Sequence, residues 1–234
     1  MISILLKISP LSIITSSVII LIVSDTQTLG VALSYNFFLQ TFLACLVSIA
    51  MLRYNLQSIN VANCITYLRL VIVITLLVLV LFRSDVDNMY YSFYITFFSF
   101  LVFIMDWLDG YFARKLKQIT DFGFFFDQEV DNIFLFILVL SITLNNNELY
   151  FLWLIPLLRY IFLLMKYVFA WMRSDLYDSM RRKSICAVTT FLLIVCNLEF
   201  LSFFLIELLS IISISIIVFS FMKDILWLYR RNNA

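Results

Sequence analysis

The chain has 234 residues, 64% of them hydrophobic and 13% charged, too apolar for a soluble domain that must cover itself with polar surface. A net charge of +1 provides no basic stripe to neutralise the phosphates of a nucleic acid. The absence of histidine removes histidine-based serine triads, the usual histidine-containing zinc sites and imidazole acid–base chemistry, leaving carboxylates, metal ions and basic side chains as the available catalysts.

Three glycines and two prolines leave few turns, so long helices with short connections are expected. The alternating pattern of a membrane barrel is missing. A helix crossing the hydrocarbon layer needs about 20 apolar residues, and eight spans are expected at roughly 8–24, 31–52, 64–82, 89–112, 122–143, 149–171, 184–201 and 203–226. The first follows Lys7, as in a signal peptide, but no small-residue cleavage site follows Val23 and Ser24, so it reads as a retained helix.

Lys and Arg favour the cytoplasmic side. With Lys7 inside, Asp25, Thr26 and Gln27 fall outside, Arg53 and Arg69 inside, Arg83 with Asp85 and Asp87 outside, and Arg114, Lys115 and Lys117 inside. Asn145 to Glu148 then fall outside, Arg173 and Arg181 to Lys183 inside, Asn197 and Glu199 outside, and Arg230 and Arg231 inside. Only Arg83 breaks the bias, so an all-α polytopic bundle with both termini cytoplasmic is expected. Cys45, Cys64, Cys186 and Cys196 form no close-spaced pair and read as small apolar side chains.

The chemistry concentrates between residues 106 and 131, where four aspartates stand at or inside two apolar spans. A carboxylate at that depth is costly unless paired, hydrated or metal-bound, and so marks function. Asp106, Asp109, Gly110 and Ala113 lie at i, i+3, i+4 and i+7, on one stripe of the fourth span. Gly123, Asp127 and Asp131 lie at i, i+4 and i+8, on a stripe of the fifth. The short connection from Lys115 to Asp121 makes the two helices antiparallel neighbours whose stripes can face each other. Clustered carboxylates call for divalent cations that prefer oxygen, Mg2+, Mn2+ or Ca2+, and four acids suit two ions. Gly110 and Gly123 permit close backbone approach, whether to a ligand or simply between packed helices. A coupled transporter also uses buried Asp, but its helices more often break at Gly or Pro near the site.

The run Asp-x2-Asp-Gly-x2-Ala-Arg-x8-Gly-x3-Asp-x3-Asp, carried by Asp106, Asp109, Gly110, Ala113, Arg114, Gly123, Asp127 and Asp131, resembles the signature of the CDP-alcohol phosphotransferases at all eight fixed positions. Upstream, Asn63, Thr66 and Arg69 resemble the family's Asn-x2-Thr-x2-Arg element, with Ala62 where a proline often precedes the asparagine. The resemblance implies a six-helix core over residues 56–234, preceded by two extra helices in residues 1–55. It implies that Asp106, Asp109 and Asp127 hold a pair of Mg2+ or Mn2+ ions, with Asp131 close enough to join them, and that Asp131 is the general base toward the acceptor hydroxyl. Asn63, Thr66, Arg69, Gly110, Ala113, Arg114 and Gly123 are then expected around the CDP moiety of CDP-diacylglycerol.

The expected reaction moves a phosphatidyl group to a small alcohol and releases CMP. Glycerol 3-phosphate, the commonest acceptor in bacterial relatives, is the first choice; choline, serine, inositol phosphate and phosphatidylglycerol stay open. A phosphorylated acceptor needs further cations, and Arg159, Arg182 and Lys183 are the candidates. Arg159 is internal to a span, where it could equally pair with an aspartate or with Glu129. Arg181, Arg182 and Lys183 could also anchor anionic headgroups. The family resemblance places the enzyme in a bacterial inner membrane with its site facing the cytoplasm, and implies a homodimer.

Overall fold

A computed structural model describes residues 13–21, 29–54, 61–82, 88–116, 120–174, 176, 179–198 and 200–232. The described residues form eight α-helices and no strand. They are α1 (13–21), α2 (Leu29–Arg53), α3 (Val61–Leu81), α4 (Asn88–Lys115), α5 (Asp121–Asn145), α6 (Leu154–Val168), α7 (Met180–Cys196) and α8 (Phe203–Asn232). Among the described residues, five helical stretches are long and apolar enough to cross a membrane: Leu29–Met51, Val61–Leu81, Tyr91–Phe112, Asn147–Val168 and Phe203–Arg231. The protein is an integral membrane protein. α5 matches these stretches in length, but its first three turns carry Asp121, Asp127, Glu129 and Asp131. Lys7, Asp25, Thr26, Gln27, Arg83, Asp85, Asp87, Lys117 and Glu199, which entered the expected orientation, lie outside the described residues.

The chain divides into two compact units, one ending at Ile137 and the other beginning at Leu138. In the first, α3 is the central element, with two thirds of its most apolar window buried. Its Val71-Ile72-Val73-Ile74-Thr75 run is rich in β-branched residues, which are indifferent helix formers in water. In a bilayer the backbone must satisfy its own hydrogen bonds, so such a run is helical. A helix apolar on every side is buried rather than amphipathic, and α2 and α4 both pack on it.

Ile20, Ala32, Val78 and Leu79 form a small buried core where α1, α2 and α3 meet, with Tyr91 of α4 packed against it. The Tyr91 hydroxyl donates to the Leu79 carbonyl. Polar side chains tie the first helices together. Asn36 Nδ2 donates to Ser16 Oγ at 2.8 Å, and Gln40 Nε2 donates to the Val71 carbonyl at 3.1 Å.

In the second unit the expected span at 149–171 is not one continuous helix. It begins as a 3-10 segment, Asn147–Trp153, with Leu149 off helical geometry at φ −94° and ψ 26°. It ends at Val168, beyond which Phe169 is extended and Ala170–Arg173 makes a second 3-10 turn. α7 starts at Met180, ahead of the expected 184, because Arg181, Arg182 and Lys183 are helical although hydropathy excludes them. α8 runs on to Asn232 for the same reason. α7 and α8 are joined by Arg181, whose guanidinium pairs with the buried Asp224 carboxylate and lies 3.3 Å from both the Ser220 carbonyl and its hydroxyl. None of the four cysteines is in a disulfide.

Candidate active site

Seven of the polar side chains in the predicted site lie within the first unit, and they come from three helices. α3 contributes Asn63, Thr66 and Arg69, α4 contributes Asp106 and Asp109, and α5 contributes Asp127 and Asp131. α5 is opened by Thr120, whose Oγ1 accepts the Gly123 N–H at 3.1 Å, an N-cap bond that fixes where the helix starts. Asp127 and Asp131 then follow at one and two turns beyond Gly123.

Arg69 is the hub. Its side chain is 1% exposed, and its two terminal nitrogens divide the acids between them. Nη1 donates to Asp106 Oδ1 and lies 3.5 Å from Asp109 Oδ2. Nη2 donates to Asp127 Oδ1 and lies 3.3 Å from Asp131 Oδ1. The rigid guanidinium fork therefore binds α4 with one prong and α5 with the other. Among the described residues, the remaining nitrogen, Nε, is buried without a hydrogen-bond partner.

The four acids are not equivalent. Asp109 is 5% exposed, against 42% for Asp106 and 38% for both Asp127 and Asp131. Its Oδ2 also takes a hydrogen bond from Thr66 Oγ1 at 3.0 Å, a proton that Thr66 shares with the Ala62 carbonyl at 3.1 Å. Asp109 is thus buried and held from two sides, whereas the Asp106, Asp127 and Asp131 side chains are partly exposed.

Asp106, Asp109 and Asp127 each offer one carboxylate oxygen, and these oxygens lie within 4.8 Å of one another. Oxygens so grouped fit hard divalent cations, which bind oxygen at about 2.0–2.6 Å. The charge balance agrees, since Arg69 brings one positive charge to four carboxyl groups. Asp131, expected beside these three, reaches the cluster through Arg69 Nη2.

Gly123 is required by space. A Cβ there would stand 2.7 Å from Asn63 Oδ1 and 3.1 Å from Thr120 Oγ1, so α5 approaches α3 as closely as it does because this residue has no side chain. Asn63 is itself buried, and its Nδ2 has no partner among the described residues. Gly110 continues the Asp106 and Asp109 stripe of α4. Ala113 and Arg114 lie in the last turn of that helix, and their side chains are outside the described residues.

Arg159, Arg182 and Lys183 belong to the second unit. There Arg182 Nη1 lies 3.8 Å from Asp224 Oδ2, Lys183 is exposed and Arg159 is half-buried on α6. Sequence reasoning missed Asp224 as the partner of Arg181 and Arg182, the capping role of Thr120 and the central place of Arg69 among the acids. The Thr120-Asp121 pair ahead of an apolar run was the available signal for the cap. For Arg69 it was a guanidinium inside the most apolar helix, where a charge needs partners.

The family model for CDP-alcohol phosphatidyltransferase matches residues 59–226, a stretch containing every member of the cluster. The chain belongs to the CDP-alcohol phosphatidyltransferase family. Two curated relatives are both named CDP-diacylglycerol--glycerol-3-phosphate 3-phosphatidyltransferase. The one from Wigglesworthia glossinidia brevipalpis is 38% identical over 77 residues, covering 33% of this chain and 40% of the relative. The one from Aquifex aeolicus (strain VF5) is 33% identical over 89 residues, covering 38% of this chain and 46% of the relative. The chain thus spans less than half the length of either relative. No solved structure matches it.

Proposed function

We propose that this protein transfers the phosphatidyl group of CDP-diacylglycerol to the free hydroxyl of glycerol 3-phosphate and releases CMP, at the cytoplasmic face of a bacterial inner membrane. The observation that carries the reading is the cluster of four aspartates from α4 and α5 around Arg69, within the family match. The named relatives support glycerol 3-phosphate as the acceptor.

Asp106, Asp109 and Asp127 would hold two Mg2+ or Mn2+ ions, which when bound neutralise the diphosphate and the departing CMP. Asp131, whose side chain is partly exposed, accepts the proton of the acceptor hydroxyl. As the proton leaves, the hydroxyl oxygen bonds to the phosphorus that carries the lipid, and the bond from that phosphorus to the CMP oxygen breaks. A single in-line displacement needs no covalent enzyme intermediate. Asn63, Thr66, Arg69, Gly110, Ala113, Arg114 and Gly123 surround the CDP moiety, while Arg159, Arg182 and Lys183 receive the acceptor phosphate. Residues 56–234 form the catalytic body, working as a homodimer. Residues 1–55 add two helices that brace α3, as the Gln40 bond to the Val71 carbonyl suggests.

The test is incubation of purified full-length protein with CDP-diacylglycerol, Mg2+ or Mn2+, and each candidate alcohol in turn, with lipid products identified by mass spectrometry. Metal-dependent CMP release with glycerol 3-phosphate is expected. Release with another alcohol alone overturns the acceptor, and no release with any of them overturns the reaction.

A further inference from the structure

From the position of Arg69 we infer that its guanidinium is the resident counter-cation of the metal-free cluster and competes with divalent ions for the same carboxylates. Arg69 thereby positions the four acids before metal arrives and sets how tightly metal is held. The inference rests on the reading of Asp106, Asp109 and Asp127 as metal ligands.

Both terminal nitrogens point into the acids, one toward α4 and one toward α5. The oxygens they contact include Oδ1 of Asp106 and Asp127 and Oδ2 of Asp109, on the three residues whose oxygens converge. A divalent ion on those carboxylates would stand beside the guanidinium, and the two like charges would repel each other across a few ångströms. The arginine is also imperfectly served, since Nε is buried without a partner among the described residues. A side chain installed permanently would more commonly have all its donors satisfied. Without Arg69, four carboxyl groups would face one another with no cation, so the metal-free state would suffer most.

The measurement is Mn2+ alone, without lipid, titrated into wild-type protein, Arg69→Gln, Arg69→Lys and Asp127→Asn, with bound ion followed by electron paramagnetic resonance and stability by thermal unfolding. Breaking even one charge-assisted hydrogen bond to a metal ligand is worth about 1.5 kcal/mol or more, so Arg69→Gln is expected to bind Mn2+ at least about tenfold more tightly than wild type. Its melting temperature should fall without metal and recover with it. Arg69→Lys, which keeps the charge but loses the fork, should fall between. If the metal-free Gln variant does not stay folded, it is purified in Mn2+ and its affinity read by graded chelation. Equal or weaker Mn2+ binding in Arg69→Gln overturns the competition. Wild-type protein that binds no Mn2+ sensitive to Asp127→Asn overturns the metal-site reading itself.

Discussion

Gly123→Ala isolates the packing that holds the cluster together, because it adds one methyl group where α5 meets α3. The new Cβ would sit 2.7 Å from Asn63 Oδ1, and ordinary contact begins at 3.4 Å, so the buried Asn63 side chain or one of the two helices must yield by roughly 0.7 Å. Rotating the Asn63 amide does not help, because the flip puts Nδ2 where Oδ1 was. Thr120 Oγ1, 3.1 Å from the same Cβ, blocks retreat toward the cap. Replacing glycine inside a helix gains about 1 kcal/mol of propensity, and overpacking costs about 1–3 kcal/mol. The melting temperature should therefore hold or fall by a few degrees. Activity should respond far more, since Asn63 lies on the same helix as Arg69 and Gly123 on the same helix as Asp127 and Asp131. A misplacement near 1 Å costs on the order of 100-fold in rate, so we expect kcat for CMP release to drop at least about tenfold. A Gly123→Ala protein with unchanged melting temperature and wild-type kcat would refute the claim that this close approach sets the cluster's geometry.

Asp131→Asn should abolish CMP release while leaving Mn2+ binding and CDP-diacylglycerol binding within a few-fold of wild type, because it removes a base and spares the three converging oxygens; loss of Mn2+ binding would make it a ligand instead. Thr66→Val removes the hydrogen bond to Asp109 at 3.0 Å and should cost about 1 kcal/mol of stability, read as a lower unfolding midpoint. Asp224→Ala leaves Arg181 and Arg182 without their carboxylate and should destabilise the α7 and α8 pair by about 2–3 kcal/mol, seen as earlier proteolysis of that unit; an unchanged cleavage rate would show the ion pair to be dispensable. Arg159→Ala should raise KM for glycerol 3-phosphate with little change in KM for CDP-diacylglycerol, and the opposite split would remove Arg159 from acceptor binding.

The helical character and the pairing of acids were legible because both depend on spacing. A period of 3.6 residues puts Asp106 with Asp109, and Asp127 with Asp131, on stripes whatever surrounds them. Apolar runs long enough for a bilayer are similarly local properties, which is why α2, α3, α4 and α8 appear near their expected places. The ends were less legible. Hydropathy counts Arg181, Arg182, Lys183, Arg230 and Arg231 as loop-like, yet long cationic side chains sit comfortably in helical ends that reach the interface. The 3-10 start at Asn147 and the turn at Ala170 leave no mark in an apolar average. Arg69 was recognised through the upstream element but not as the partner of four acids that follow 37 to 62 positions later. Only the tertiary packing of α3 against α4 and α5 brings it there.

α3 also bears on how the protein is made. Its fourteen Leu, Ile and Val residues each favour entry into the lipid by about 0.3–0.6 kcal/mol, and the sum of roughly 4–8 kcal/mol exceeds the penalty of about 2.5–3.5 kcal/mol for a central arginine. The helix can therefore leave the translocation machinery by itself, carrying Arg69, before α4 and α5 bring the carboxylates into the lipid. A positive charge waiting in the bilayer for negative ones still to be inserted would favour folding in the order of translation, with α4 and α5 captured as they emerge.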